Sequence, residues 1–288
     1  MPRKIFAFLA APVLALSVSA TAPGCGAETF RISAIPDEAP TKLIRIFEPL
    51  AAYLSKELGV PVKFTPLVDY AATVEALAAK KVDMVWYGGF THVQARIRTK
   101  GEAVPLVMRD RDAVFKSHFI ARVGSGIKSL KDLKGKTVAF GSVSSTSGHL
   151  MPRFFLLQAG VNPERDFAKF SFTGAHDATV KWVEEGKVDA GALNEQVWEK
   201  MVAGKLVDTK KVAIFYTTPP YYDYNWTVRG GLSPEFREKI KRAFLKLDYS
   251  KPEDRKLLDL QGAKKYIPAK PSDYDSIERA AKDAKLLN

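Results

Sequence analysis

The chain has 288 residues, 46% of them hydrophobic, with 44 Lys and Arg against 32 Asp and Glu for a net charge of +12. That length suggests one or two domains, and the composition is that of a globular protein able to bury a sizeable core. The positive charge is scattered, without a basic helix, zinc-finger spacing or aromatic-basic RNA motif, so nucleic acid is not the expected partner.

Arg3 and Lys4 precede an apolar run over residues 5–16 that only Pro12 interrupts, and small residues follow. This is the pattern of a secretory signal peptide over residues 1–27, too short for a membrane span, with cleavage expected after Ala27 and export expected of the rest. Cys25 is the only cysteine. Ala22-Pro23-Gly24 before it is a poor lipidation signal, so a lipid anchor there is the lesser expectation. Without Cys25 the exported chain has neither disulfides nor a thiol nucleophile.

From residue 30 onward, short apolar strands alternate with amphipathic helices. The pattern predicts a strand at 30–35 and a helix at 41–58, with Leu43, Ile44, Phe47, Leu50, Ala51 and Leu54 on one face and Gly59 as its stop. A strand at 62–66, a helix at 70–79 and a strand at 82–87 follow. Such alternation argues for an α/β fold with largely parallel sheets. The order then repeats: strand 136–140, helix 148–159, strand 167–172, helix 178–185, strand 188–193. Ala72-Thr73-Val74 returns as Ala178-Thr179-Val180 and Val82-Asp83 as Val188-Asp189, each 106 residues further on. The same offset lays loop 36–41 on loop 142–147. Two similar lobes are therefore expected, one from 28–118 plus 225–288 and the other from 119–224. A strand at 212–216, an aromatic, Pro-rich stretch at 217–226 and helices at 234–247 and 272–286 complete the chain. The crossings near 116–121 and 217–227 form a hinge that can open and close.

The richest local signal is Ser142-Val143-Ser144-Ser145-Thr146-Ser147-Gly148-His149, which follows a strand and opens a helix. A helix start presents amides without acceptors and a positive dipole end, and hydroxyls add donors, so the combination suits an anion. Ordinary capping needs one hydroxyl, whereas Ser144, Ser145, Thr146 and Ser147 offer four in succession. Tyr70 and His176 occupy equivalent positions before the two Ala-Thr-Val helix starts. Each brings a hydrogen-bond donor to the strand-end edge where open α/β sheets bind ligands. In the turn Trp86-Tyr87-Gly88-Gly89-Phe90-Thr91-His92, Tyr87 is a further candidate and Phe90 reads as core. Asp223, in Tyr221-Tyr222-Asp223-Tyr224-Asn225-Trp226, would accept a proton from a protonated oxyanion and repel a bare dianion.

No GxxxxGK[ST] and no GxSxG is present. The histidines at 92, 118, 149 and 176 lack metal-ligand spacing, so neither metal nor cofactor is expected. His176-Asp177 beside many serines imitates part of a catalytic group, but nothing marks a nucleophile. An exported enzyme acting on a phosphoester and an anion-sensing module for a receptor kinase are the alternatives to a binder.

Taken together, the leader, Asp69-Tyr70-Ala71, Val82-Asp83 with the 86–89 turn, Ser145-Thr146-Ser147-Gly148 and Ala175-His176-Asp177 resemble the periplasmic phosphate, phosphite and phosphonate-binding proteins of ABC importers, over about residues 30–286. The resemblance implies a type II periplasmic-binding-protein fold with the ligand between two closing lobes, a monomer that catalyses nothing, and a membrane permease as partner. It makes Tyr70, Ser145, Thr146, Ser147 and His176 oxyanion-binding residues. Ser144, Asp177, Tyr87 and Asp223 complete the candidate set from the local patterns. Where aminoalkyl-phosphonate binders grip the substituent with a tyrosine, this chain has Phe115-Lys116, and Glu195 and Asp223 align about one residue away from the acidic positions. An anion without an aminoalkyl tail is therefore expected: phosphite, phosphate, methylphosphonate or another tetrahedral anion. Residues 141–153 also resemble a branch often labelled as selenate binders.

Overall fold

The computed structural model describes residues 1–2 and 28–287. The expected signal peptide and Cys25 lie outside them. The first half contains β1 (Phe30–Ala34), α1 (Pro40–Leu58), β2 (Val62–Phe64), α2 (Tyr70–Ala78), β3 (Met84–Tyr87), α3 (Gly89–Arg98) and β4 (Val104–Arg109). After a first crossing come β5 (Ser117–Arg122), β6 (Thr137–Phe140), α4 (Met151–Gln158), α5 (Pro163–Asp166), β7 (Lys169–Phe172), α6 (His176–Glu184), β8 (Ala190–Asn194), α7 (Glu195–Ala203) and β9 (Val212–Thr217). A second crossing leads to β10 (Asn225–Val228), α8 (Pro234–Leu245), α9 (Pro252–Gln261), β11 (Tyr266–Pro268) and α10 (Asp275–Asp283).

Two sheets result, ordered β11-β4-β10-β3-β1-β2 and β7-β6-β8-β5-β9. In each, three strands joined by helices run parallel: β2-β1-β3 and β7-β6-β8. The other strands are antiparallel, which corrects the expectation of largely parallel sheets. Parallel neighbours need a crossover helix. The strands that arrive over the crossings, β5 and β10, have none and insert against the grain. Ser117 and His118, expected in the first lobe, belong to the second sheet through pairing with Asn194 and Leu193.

The internal repeat holds to the residue. Arg31 pairs with Lys63 and Ile32 with Met84; 106 residues on, Thr137 pairs with Lys169 and Val138 with Ala190. Asp83 accepts the Arg31 amide at 2.7 Å, and Asp189 accepts the Thr137 amide at 2.8 Å. Each carboxylate thus fastens the loop before the third strand of its lobe to the first strand. One large apolar core unites α1, α8 and the first sheet around Leu50, Leu54, Trp226 and Phe244. The second sheet is covered on both faces, by α4 over Phe140 and Phe119 and by α6 and α7 over Ile120 and Leu193.

The two aspartates differ in company. Asp83 also meets the guanidiniums of Arg31 (2.9 Å) and Arg229 (2.7 Å), whereas Asp189 meets only Thr137. Burial works to raise the Asp83 pKa, but the hydrogen bonds from Arg31 and Arg229 win and hold it below the usual carboxylate range. Asp83→Ala should therefore cost about 2 kcal/mol of stability and Asp189→Ala about 1 kcal/mol, read by urea unfolding. The Asp83 contribution should be full above about pH 4 and vanish as pH falls through its lowered folded value. Equal losses would mean that the arginines add nothing to the shared fastening.

Candidate functional site

α2 and α6 begin at equivalent places and aim their first residues at the cleft. Asp69 caps α2 by accepting the Ala72 amide at 2.7 Å. Tyr70 follows it, 2% exposed, its hydroxyl without a hydrogen-bond partner. Burial raises its pKa well above the phenol range, and the charges of Asp37 and Asp223 push the same way, so it stays a donor. The Ser145 hydroxyl lies near enough to offset part of that shift.

At the start of α6, the His176 amide donates to the Asp37 carbonyl of the first lobe at 3.1 Å. The Asn194 amide donates to His176 Nδ1 at 3.3 Å. An Nδ1 that accepts leaves the proton on Nε2, which is buried and has no partner. Burial holds this imidazole down to about 4 against the opposing charges of Glu38 and Asp177. At neutral pH His176 is an uncharged Nε2–H donor.

The hydroxyl run does not open an α-helix directly. Residues Thr146–Leu150 form one wide turn, with Leu150 donating to the Ser145 carbonyl five residues back at 3.0 Å. Ser145 caps that turn by accepting the Gly148 amide at 3.0 Å. Pro152 has no N–H for the Gly148 carbonyl, which instead accepts from Gly141 at the end of β6, at 2.9 Å. A side chain at Gly148 would place its Cβ 2.8 Å from His176 Cε1. The bare backbone is what lets the turn and the imidazole lie together.

From the first lobe, the N-terminus of α3 meets this turn. The Phe90 amide donates to Thr146 Oγ1 at 2.9 Å and Thr91 Oγ1 donates to the Ser144 carbonyl at 3.0 Å. The Gly89 amide donates to Asp223 Oδ1 at 3.0 Å. Asp223 is 1% exposed, and its Oδ2 has no partner. Burial raises this carboxyl to about 7, although the Gly89 amide and the hydroxyls of Thr146 and Ser147 favour its charged form.

Tyr70, Ser145, Thr146, Ser147, His176 and Asp223 thus come together. The other three candidates take different roles. Tyr87 is fully buried and its hydroxyl donates to the Thr73 carbonyl at 2.7 Å, tying β3 to α2. Ser144 offers its carbonyl to Thr91 and lines an outer groove with Ala71, Val74 and Ile97. Asp177 pairs with Lys42 of the first lobe at 3.3 Å, on the rim of the cleft. The roomiest described grooves, of about 600 and 520 Å³, lie on outer surfaces beside β9 and α9. Size therefore does not mark this site; buried polar atoms do.

The family described as ABC transporter, phosphonate, periplasmic substrate-binding protein matches residues 32–274. The chain belongs to that family. It is 38% identical over 282 residues to the probable ABC transporter phosphite binding protein PhnD1 of Prochlorococcus marinus, covering 94% of this chain and 95% of the relative. The phosphate-import protein PhnD of Mycolicibacterium smegmatis is 30% identical, with 75% and 71% covered. The solved structure of P. marinus PhnD1 in complex with methylphosphonate superposes with a TM-score of 0.85, at 37% identity over 90% of this chain and 99% of that one. The fold is accordingly the two-lobe type II periplasmic-binding-protein fold, and the chain is a solute-binding component of an ABC importer.

Asp37 and Asn194 were not among the sequence candidates, and Tyr224 stood there only within the aromatic stretch 221–226. Asn194 Nδ2 donates to the Tyr224 hydroxyl at 2.9 Å, which in turn donates to Asp37 Oδ2 at 2.8 Å. This chain joins both lobes and the second crossing. A signal existed for two of them. The 106-residue offset places Asn194, the cap of α7, on Gly88, the cap of α3, and it aligns the loop holding Asp37 with the hydroxyl run.

A Cβ at Gly88 would lie 2.7 Å from Thr146 Oγ1 and 3.0 Å from Asp223 Oδ1. Thr146 belongs to the other lobe, so the clash arises on closure rather than on folding. Gly88→Ala should weaken solute binding about ten-fold or more while the ligand-free unfolding midpoint hardly moves, by titration calorimetry and thermal unfolding. Unchanged affinity would show that the lobes do not need to meet there.

Proposed function

We propose that the cleft captures a small tetrahedral phosphorus oxyanion carrying or sharing one proton, such as phosphite, phosphate or methylphosphonate, and that the exported protein delivers it to a membrane permease without turnover. One observation carries this. Three buried polar atoms without partners, Tyr70 Oη, His176 Nε2 and Asp223 Oδ2, come from three separate elements and gather around Ser145–Ser147. Buried polar groups are normally paired, and unpaired ones cost about 1–3 kcal/mol each. A ligand that pairs all three recovers that cost.

The donors are neutral: a phenol, hydroxyls, a neutral imidazole and the amides of Thr146 and Ser147, which head the turn and have no acceptor behind them. Hydrogen bonds from such groups in a dry site hold negative charge without a full counter-ion. Asp223 adds selectivity. If it or the anion bears a proton, the two share a short, strong hydrogen bond. If neither does, two negative charges meet in a low-dielectric cleft. Selenate and sulfate bring no proton of their own and depend on the Asp223 proton alone, which is lost as pH rises through about 7, so this reading places them below the phosphorus acids, above all at higher pH. The relatives' names, phosphite binding and phosphate import, and the methylphosphonate in the P. marinus structure support the same ligand class.

Titration calorimetry of the ligand-stripped protein with phosphite, phosphate, methylphosphonate, sulfate and selenate tests the reading. Micromolar or tighter binding of a phosphorus acid is expected, about −8 kcal/mol or better. Because Asp223 loses its proton as pH rises through about 7, affinity should be full below that pH and fall by up to about ten-fold per unit above it. Asp223→Asn keeps a donor at that place and should flatten the profile. His176→Ala and Thr146→Ala should each cost about a hundred-fold or more in a folded protein. No binding of any phosphorus acid, or tighter binding of selenate, would overturn the assignment.

A further inference from the structure

His149, the last residue of the hydroxyl run, has no part in the contacts described so far. It is 1% exposed, with its ring 5.0 Å from that of Phe140 and 4.8 Å from that of Phe172. Its Nδ1 lies 2.7 Å from the Val143 carbonyl. A carbonyl can only accept, so Nδ1 carries the proton and Nε2 is left as an acceptor. That Nε2 is buried and unpartnered.

This is an expensive way to fill an apolar space. Phenylalanine would pack between the same two rings without stranding a nitrogen. What imidazole supplies, and a hydrocarbon cannot, is the N–H to Val143. Four consecutive carbonyls are fixed in this loop: Ser142 accepts the Ser145 amide (3.0 Å), Val143 accepts His149, Ser144 accepts Thr91 Oγ1 (3.0 Å), and Ser145 accepts the Leu150 amide (3.0 Å). In a planar peptide the N–H points opposite to the C=O, so the Ser145 carbonyl held by Leu150 and the Thr146 carbonyl held by Met151 turn the Thr146 and Ser147 amides away from the turn they head. Val143 is itself 56% exposed, so its side chain contributes little packing to hold the loop.

We propose that His149 is a positioning residue for solute capture: its Nδ1–H bond to the Val143 carbonyl sets the backbone of residues 142–147 so that Ser145, Thr146 and Ser147 present their hydroxyls and amides together. This rests on the cleft reading for its ligand but not for its geometry. Burial holds His149 down to about 4, so at working pH the ring is neutral with its single proton on Nδ1.

Two variants separate positioning from packing. His149→Phe keeps the ring volume and removes the donor; His149→Asn removes the ring, while its amide nitrogen sits where Nδ1 was. Positioning predicts that the phenylalanine variant is at least as heat-stable as the parent yet binds methylphosphonate about ten-fold or more weakly, and that the asparagine variant is less stable yet binds within about three-fold of the parent. A packing role predicts the reverse order, and affinity tracking stability in both variants would overturn the proposal. Amide hydrogen exchange over residues 142–147 in ligand-free protein gives a readout independent of solute identity. Exchange should quicken in His149→Phe and stay near the parent rate in His149→Asn. Should the parent bind no phosphorus acid, this exchange contrast still decides the role of His149, and equal exchange in the two variants refutes it.

Discussion

A carboxyl buried without a cation is the constraint around which the cleft is arranged. Asp223 accepts the Gly89 amide with one oxygen and leaves the other without a partner, in a place where burial above all, with the charge of Asp112, raises its pKa to about 7. The same protein shows the other solution next to it, at Asp112, whose carbonyl accepts the Asp223 amide at 2.9 Å. Asp112 is equally buried, but Arg109 meets it with paired contacts at 2.7 and 2.6 Å, and Nη1 of that guanidinium donates to Gln196 Oε1 and the Gln261 carbonyl. The Asp112 pair is saturated and has nothing to offer a ligand. A lysine or arginine beside Asp223 would saturate that carboxyl too, and an entering anion would have to break the pair. On the proposed reading neutral donors avoid this: Tyr70, His176 and the three hydroxyls would attract an anion and leave the carboxyl free to share its proton.

Closure must bring these groups together from elements that do not touch in sequence. The rim pairs, Lys42 with Asp177 and Lys200 with Glu38, span the two lobes, but the lysines are 34% and 39% exposed. Pairs this wet contribute at most about 1 kcal/mol each. The contacts that depend on exact approach lie deeper: Phe90 on Thr146, Thr91 on Ser144, and the backbone of His176 on that of Asp37. None of them is charged on both sides, so closure should respond to the fit at Gly88 and Gly148 more than to salt.

What was legible in the sequence was local. Tyr70 and His176 could be found because a helix start following a strand leaves its mark within a few residues, and because the 106-residue echo shows the mark twice. The hydroxyl run was visible for the same reason. Tyr87 was misjudged because its fate depends on a carbonyl in α2 fourteen residues earlier, and a tyrosine at a strand end reads alike whether its hydroxyl faces a ligand or a helix. Asp37 was missed because its partner, Tyr224, lies 187 residues on. The antiparallel insertion of β5 and β10 was equally hidden: alternation of strands and helices tells how a lobe winds, not how a strand arrives from the other lobe.

The two lobes share a register yet not a chemistry, and the difference has a consequence. The first lobe offers a phenol and the bare amides of α3; the second offers three hydroxyls and an imidazole, where the equivalents of Thr146 and Ser147 in the first lobe are Pro40 and Thr41. Neither half alone can surround a tetrahedral anion, and the α3 amides find their acceptors only when Thr146 and Asp223 are in place. On the proposed reading, an anion resting on the second lobe meets its hydroxyls, amides and imidazole, and the Tyr70 phenol of the first lobe becomes available only through closure. A ligand shifts an equilibrium by its differential affinity for the two states. Dividing the donors between the lobes makes that difference large, so that the shape of the closed molecule itself reports that a solute is inside.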